Sequence, residues 1–304
     1  MRKRIILTAL LATAALMLSG CAAPTPPAPN AQRPVQEETA FTVVTSFYPM
    51  YVLTANVTDG VPGVQVLGMA EQQTGCLHDY QLLPADMKAL EKANVFVING
   101  AGMESFMGRV GEQFADLTVI TASEGIEMLS DEGGHANAHV WLDPVRAAQQ
   151  VKNIAAGLAE ADPAHAADYA KNADAYADRL TSLGNDLRAQ LADVKSRDII
   201  TFHEAFPYFA EAFDLNVAAV IEREPGSEPT TQEIAHTVDL VREKGIGALF
   251  VEPQYPDRAA ETIARETGAG IYTLDPIVTG DLSKDAYEQK MRENAKTLAE
   301  ALNR

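Results

Sequence analysis

The run from Asp162 to Val194, DPAHAADYAKNADAYADRLTSLGNDLRAQLADV, decides the architecture. Asp162 followed by Pro163 reads as a helix start, a capping carboxylate with proline at the first helical position. Beyond it Tyr169, Tyr176, Leu180, Leu183, Leu187, Leu191 and Val194 recur at steps of seven, four, three, four, four and three. That spacing is an apolar stripe of helical period, interrupted by no internal glycine except Gly184. A helix over 163–194 would be about 48 Å long at about 1.5 Å per residue, enough to run the length of two lobes.

Working outward, Asp143-Pro144 repeats the capping pattern and opens a second helix before the long one. Short β-branched or apolar runs flank this helical centre at 41–47, 64–67, 95–99 and 117–121 before it. Others lie at 198–202, 216–221, 248–251 and 271–274 after it. Helical patterns separate them, which is the signature of βαβ units and parallel sheets. The expected fold class is therefore α/β, with four strands in each half and a plan that is duplicated without a sequence repeat. Tyr287, Met291, Leu298 and Leu302 close the chain as an amphipathic helix.

The 304 residues set a prior of about two domains, and 47% hydrophobic content supplies packed cores. A net charge of −18 excludes a nucleic-acid or anionic-lipid binder, both of which need clustered positive charge. Two cysteines make no disulfide framework. At the N-terminus Arg2, Lys3 and Arg4 precede an apolar run ending in Leu18-Ser19-Gly20-Cys21. The run has signal-peptide length, short of the ~20 residues of a membrane span. Its end resembles the lipobox of bacterial lipoproteins. That resemblance implies cleavage before Cys21, lipidation of Cys21, and an extracytoplasmic protein anchored to the bacterial cell membrane. Cleavage would remove three positive charges and leave Cys76 the one free thiol. Residues 21–40, with Pro24, Pro26, Pro27, Pro29 and Pro34, read as a tether.

Four groups fall just after expected strands: His78, His139, His203 and Asp275. In open α/β sheets ligands bind outside the carboxyl ends of strands, and two candidates come from each half. Three imidazoles and a carboxylate suit a four-coordinate transition metal, zinc above all. Each residue also has a plainer reading: a histidine after a strand is commonly a surface or hydrogen-bonded residue, and Asp275 before Pro276 could cap a helix. Irregular separations cannot join the four.

The motifs His78-Asp79-Tyr80-Gln81, His139-Val140-Trp141-Leu142-Asp143-Pro144, Phe202-His203-Glu204-Ala205-Phe206-Pro207-Tyr208-Phe209 and Phe250-Val251-Glu252-Pro253-Gln254 resemble the zinc/manganese family of solute-binding lipoproteins. The likeness runs from about residue 41 to the C-terminus. It implies two (β/α)4-like lobes, 41–162 and 195–304, joined by one long helix over 163–194 with the metal in the inter-lobe cleft. It implies metal ligation by His78, His139 and His203, and less firmly by Asp275. It also implies capture of a divalent metal and delivery to an ABC permease and its ATPase subunit, by a chain acting as a monomer. Imidazole at His203, where manganese members tend to carry a carboxylate, favours Zn2+ over Mn2+.

The chain departs from zinc members in lacking a long His-rich loop; 130–137 holds only His135, at most an auxiliary ligand. Cys76 could ligate metal, although a small buried thiol is its commoner role. Asp79, Glu204 and Glu252 are candidates to orient the imidazoles. Glycines 100 and 102, the charged loop 222–225, and His165 and His236 read as structural or surface features. The competing class is a zinc hydrolase using the same histidines with Glu204 as general base. No G-x-S-x-G or H-E-x-x-H motif is present, which weighs against an enzyme. A surface adhesin that binds metal incidentally is a third reading.

Overall fold

Eight short strands form in a computed structural model that describes residues 40–69, 77, 80–130, 134–221, 229–254 and 257–304. In the first half β1 (Phe41–Thr45), β2 (Val64–Gly68), β3 (Val95–Ile98) and β4 (Thr118–Thr121) make one sheet in the order β2-β1-β3-β4. In the second half β5 (Asp198–Thr201), β6 (Asn216–Val220), β7 (Ala248–Val251) and β8 (Gly270–Thr273) make another in the order β6-β5-β7-β8. Every pairing is parallel, and the two orders are the same plan used twice. The inner strands β3 and β7 are buried along their whole length, as covering both faces of a parallel sheet requires. The outer strands β2 and β8 are only half covered. The fold is α/β with two lobes.

Helices α1 (Tyr48–Val57), α2 (Pro84–Glu91) and α3 (Met107–Gln113) belong to the first half. Then α4 (Pro144–Ala161) and α5 (Ala166–Gln190) lead to α6 (Pro207–Ala212), α7 (Thr231–Lys244), α8 (Arg258–Thr267) and α9 (Ala286–Leu302). The cap read at Asp143 is present: its carboxylate accepts from the Val145 N–H at 2.8 Å, with Pro144 in the first turn. The long helix is shorter than the 163–194 expected, at both ends. At its start the Asp162 carboxylate accepts from the His165 ring (2.7 Å) and the Tyr169 hydroxyl (2.8 Å), and residues Pro163–His165 wind into a tighter 3-10 turn. At its end the Arg197 guanidinium donates to the Ala192 carbonyl at 2.6 Å, satisfying a terminal acceptor while the chain turns toward β5. The 25 residues of α5 still span about 37 Å. The stripe Tyr169, Tyr176, Leu180, Leu183, Leu187 is buried as its period demands. Gly184 lies against Pro144, so α4 and α5 run antiparallel.

The main core follows that stripe through both halves, and a second cluster (Ile200, Leu249, Val238, Val241, Ala260, Ile263) lies under α7 and α8. A seam of hydrogen bonds ties the segment after β8 to the first half. The Tyr48 hydroxyl donates to the Asp281 carbonyl (2.6 Å) and Asn56 to the Lys284 carbonyl (2.9 Å). The Trp141 indole donates to the Pro276 carbonyl (2.8 Å), and the Tyr287 hydroxyl to the Trp141 carbonyl (2.6 Å). Arg179 on α5 pairs with Glu288 on α9. Among the described residues no helix is long and apolar enough to cross a membrane.

Candidate metal centre

Because each sheet is parallel, the loops leaving its strands collect at one edge. β5 ends at Thr201, and two residues later His203 stands buried at 3% exposure. His139 is equally buried, in the loop that enters a 3-10 turn over Val140–Leu142. The two rings meet nearly at right angles, 84°, with centroids 4.8 Å apart. Two imidazoles on one tetrahedral ion, with metal–nitrogen bonds of about 2.0 Å, would have centroids about 5 Å apart. The pair fits a shared cation.

Each ring is held from behind through Nδ1. His203 Nδ1 lies 3.0 Å from Oε1 of Glu252, a buried residue just after β7. His139 Nδ1 lies 3.1 Å from the Asn137 side-chain oxygen. A metal-binding imidazole commonly donates its second N–H to a carboxylate or amide oxygen, which directs the other nitrogen at the ion. Oε2 of Glu252 has no hydrogen-bond partner among the described residues. Glu204, another acidic candidate for this role, contributes its backbone carbonyl, which accepts from Asn137 at 2.8 Å.

Asp275 follows β8 by two residues, its backbone clamped to Asn294 through bonds of 2.9 and 2.7 Å. Its carboxylate accepts from the Ile277 N–H (2.8 Å) and lies 3.5 Å from the Lys290 ammonium. Burial pushes its pKa above the ordinary carboxylate value, opposed by Ile277 and Lys290. Its loop reaches the histidines through Trp141, whose indole holds Pro276 and whose ring lies 5.2 Å from that of His139. Asp275 is not gathered with His139 and His203 into one cluster: no group of three or more candidate ligands converges among the described residues. His78, Cys76, Asp79, Cys21 and the charged loop 222–225 lie outside the described residues. His135 and His236 are exposed, and His165 serves the α4–α5 turn.

Sequence reasoning missed the buried polar frame behind His139. Glu104, almost wholly buried, accepts from the Ser46 hydroxyl (2.8 Å) and the N–H groups of Asn99 (2.8 Å) and Gly100 (3.0 Å). Asn99 in turn donates to the Ala138 carbonyl (2.9 Å) and accepts from Gln150 on α4 (2.9 Å). Gly100 sits at φ +84°, and a Cβ there would meet the Thr121 side chain at 2.5 Å. That turn needs glycine for backbone and space alike.

The sequence profile of the family described as zinc-uptake complex component A, periplasmic, matches residues 43–301. The chain belongs to this family. As a member of the zinc-uptake component A family it is an extracytoplasmic solute-binding protein for metal import, not an enzyme, and the hydrolase alternative has no support. Among relatives of this zinc-uptake component, the iron-binding protein YfeA of Yersinia pestis is 30% identical over 246 residues, 78% of each chain. The high-affinity zinc uptake system protein ZnuA of Brucella suis is 28% identical over 312 residues, 86% of this chain and 92% of its own. A crystal structure of ZnuA superposes with a TM-score of 0.77 at 30% identity, over 86% of this chain and 99% of that one.

Proposed function

We propose that this zinc-uptake component captures one Zn2+ ion between its lobes with His78, His139, His203 and Asp275 and passes it to an ABC permease driven by an ATPase subunit. The observation that carries the ligand assignment is the perpendicular His139–His203 pair, 4.8 Å apart, drawn from the two halves of the chain. Each ring has an oxygen behind Nδ1, so that Nε2 is the ligand atom. Imidazole-rich ligation favours zinc over manganese, a harder ion that prefers oxygen donors. Asp275 supplies the anionic fourth ligand, and because burial raises its pKa, a cation binding there competes with a proton held more tightly than at an ordinary carboxylate. The seam through Trp141, Tyr287, Tyr48 and Asn56 opposes a wide opening of the lobes, so binding is local. Residues 1–20 act as a lipoprotein leader, Cys21 carries the lipid that anchors the chain to the membrane, and 21–40 form the tether. The unit is a monomer.

Titration calorimetry with zinc on the full chain tests the site. One ion per chain is expected for the parent, and loss of high-affinity binding in His139→Ala and His203→Ala. Parent-like, one-to-one binding by both variants would overturn the assignment. In competition titrations His203→Glu should narrow the zinc-over-manganese ratio; an unchanged ratio would remove His203 as the residue that sets metal choice.

A further inference from the structure

Asn137 is buried, and its amide orientation is fixed by partners with only one role each. Its Nδ2 donates to the carbonyl of Glu204 at 2.8 Å, and a carbonyl can only accept. Its Oδ1 accepts from the backbone N–H of His139 at 3.0 Å, and an amide N–H can only donate. The remaining contact, 3.1 Å between Oδ1 and His139 Nδ1, therefore has the ring as donor. A neutral His139 is the Nδ1–H tautomer, with its lone pair on Nε2. The same amide reaches across the halves, because Glu204 directly follows His203 on the loop leaving β5. Its own backbone is clamped: the N–H donates to the Leu129 carbonyl (2.8 Å) and the carbonyl accepts from the Tyr208 hydroxyl (2.8 Å). Tyr208 also accepts from the Leu129 N–H at 2.9 Å, closing a rigid ring of bonds around residue 137.

We infer that Asn137 is the positioning residue of this site, setting both the tautomer of His139 and the spacing between His139 and His203. This rests on the reading of those histidines as ligands. An Nε2–H ring must shift its proton before it can ligate, and an unclasped loop lets the 4.8 Å spacing drift, so both halves of the role act on affinity. Replacing a partner that orients a ligand costs about 10- to 100-fold in metal affinity.

The test uses two Asn137 variants, with His139→Ala as the ligand control, and two readouts on the full chain: histidine tautomers of the metal-free protein by long-range 15N–1H correlation, and zinc affinity by chelator competition. Asn137→Ala should move His139 toward the Nε2–H form and lose about 10- to 100-fold in zinc affinity. Asn137→Asp keeps an acceptor for Nδ1–H but cannot donate to Glu204, so it should keep the tautomer and lose less affinity than Asn137→Ala. A folded Asn137→Ala that retains the Nδ1–H tautomer overturns the proposal, and so does parent-like zinc affinity in both variants. Parent-like binding by His139→Ala would instead overturn the ligand reading, and the affinity argument with it, leaving the tautomer result to stand alone.

Discussion

Tyr287→Phe removes a single oxygen from the seam that holds the Asp275 loop to the first half. The hydroxyl donates to the Trp141 carbonyl at 2.6 Å, and both residues are essentially inaccessible to solvent. Burial holds the Tyr287 pKa well above the ordinary phenol value, so the group is a donor at any pH at which the protein folds. Deleting it leaves the Trp141 carbonyl buried without this partner, and an orphaned buried acceptor costs about 1–3 kcal/mol. Taking about 2 kcal/mol, a domain of this size should melt about 4–8 °C lower. Urea unfolding followed by far-UV circular dichroism should show a lower midpoint with an unchanged slope, the mark of lost stability rather than an altered unfolded state. Tyr176→Phe is the matched control. Its hydroxyl is also buried but stands 3.5 Å from Glu288, at the outer limit of a hydrogen bond, so its loss should cost under about 0.5 kcal/mol. A Tyr287→Phe protein within about 0.5 kcal/mol of the parent would refute the reasoning. Equal losses in the two variants would do the same, since distance would then not be what decides.

Gly157 on α4 faces Ile120 on β4, and a Cβ there would stand 2.6 Å from Cγ1 and 2.7 Å from Cδ1. Alanine gains about 1 kcal/mol of helix propensity but overpacks by about 1–3 kcal/mol, so Gly157→Ala should destabilise in urea unfolding and become stabilising in an Ile120→Ala background. Burial raises the Glu104 pKa despite the bonds donated by Asn99, Ser46 and Gly100. The native state then binds this proton more tightly than the unfolded chain, so its contribution to stability falls as pH rises from about 4.3 through the folded pKa. The stability of the parent relative to Glu104→Gln should accordingly decline between pH 4.5 and 7, and a difference that is flat or grows with pH would contradict this.

The strands were legible because each is a short apolar or β-branched run whose burial depends on its own side chains; β3 and β7, buried throughout, are the clearest. The ends of α5 were not, because they depend on the side chains of His165 and Tyr169 at one end and Arg197 at the other. Within the site, His139 and His203 could be picked out as residues beside motifs and strand ends. Glu252 could be named with them as a candidate support, though not its pairing with His203; the other supports could not. Asn137 meets Glu204 across 67 positions, Ser46 meets Glu104 across 58, and His203 meets Glu252 across 49. Partnerships at such separations leave no period or spacing in a single sequence. They arise only when the sheets bring strand ends together.

Trp141 is the one tryptophan in the chain. It is fully buried, with its ring 5.2 Å from both Phe47 and His139 and its N–H on the carbonyl of Pro276, the neighbour of Asp275. Light absorbed at the red edge of the protein band therefore excites a single chromophore, and that chromophore sits where the two halves meet. Its emission colour registers whether water has reached the seam, and its intensity registers a change in the neighbouring imidazole. For the proposed metal site, the molecule thus carries an intrinsic gauge of loading and opening that needs no dye and no engineered label.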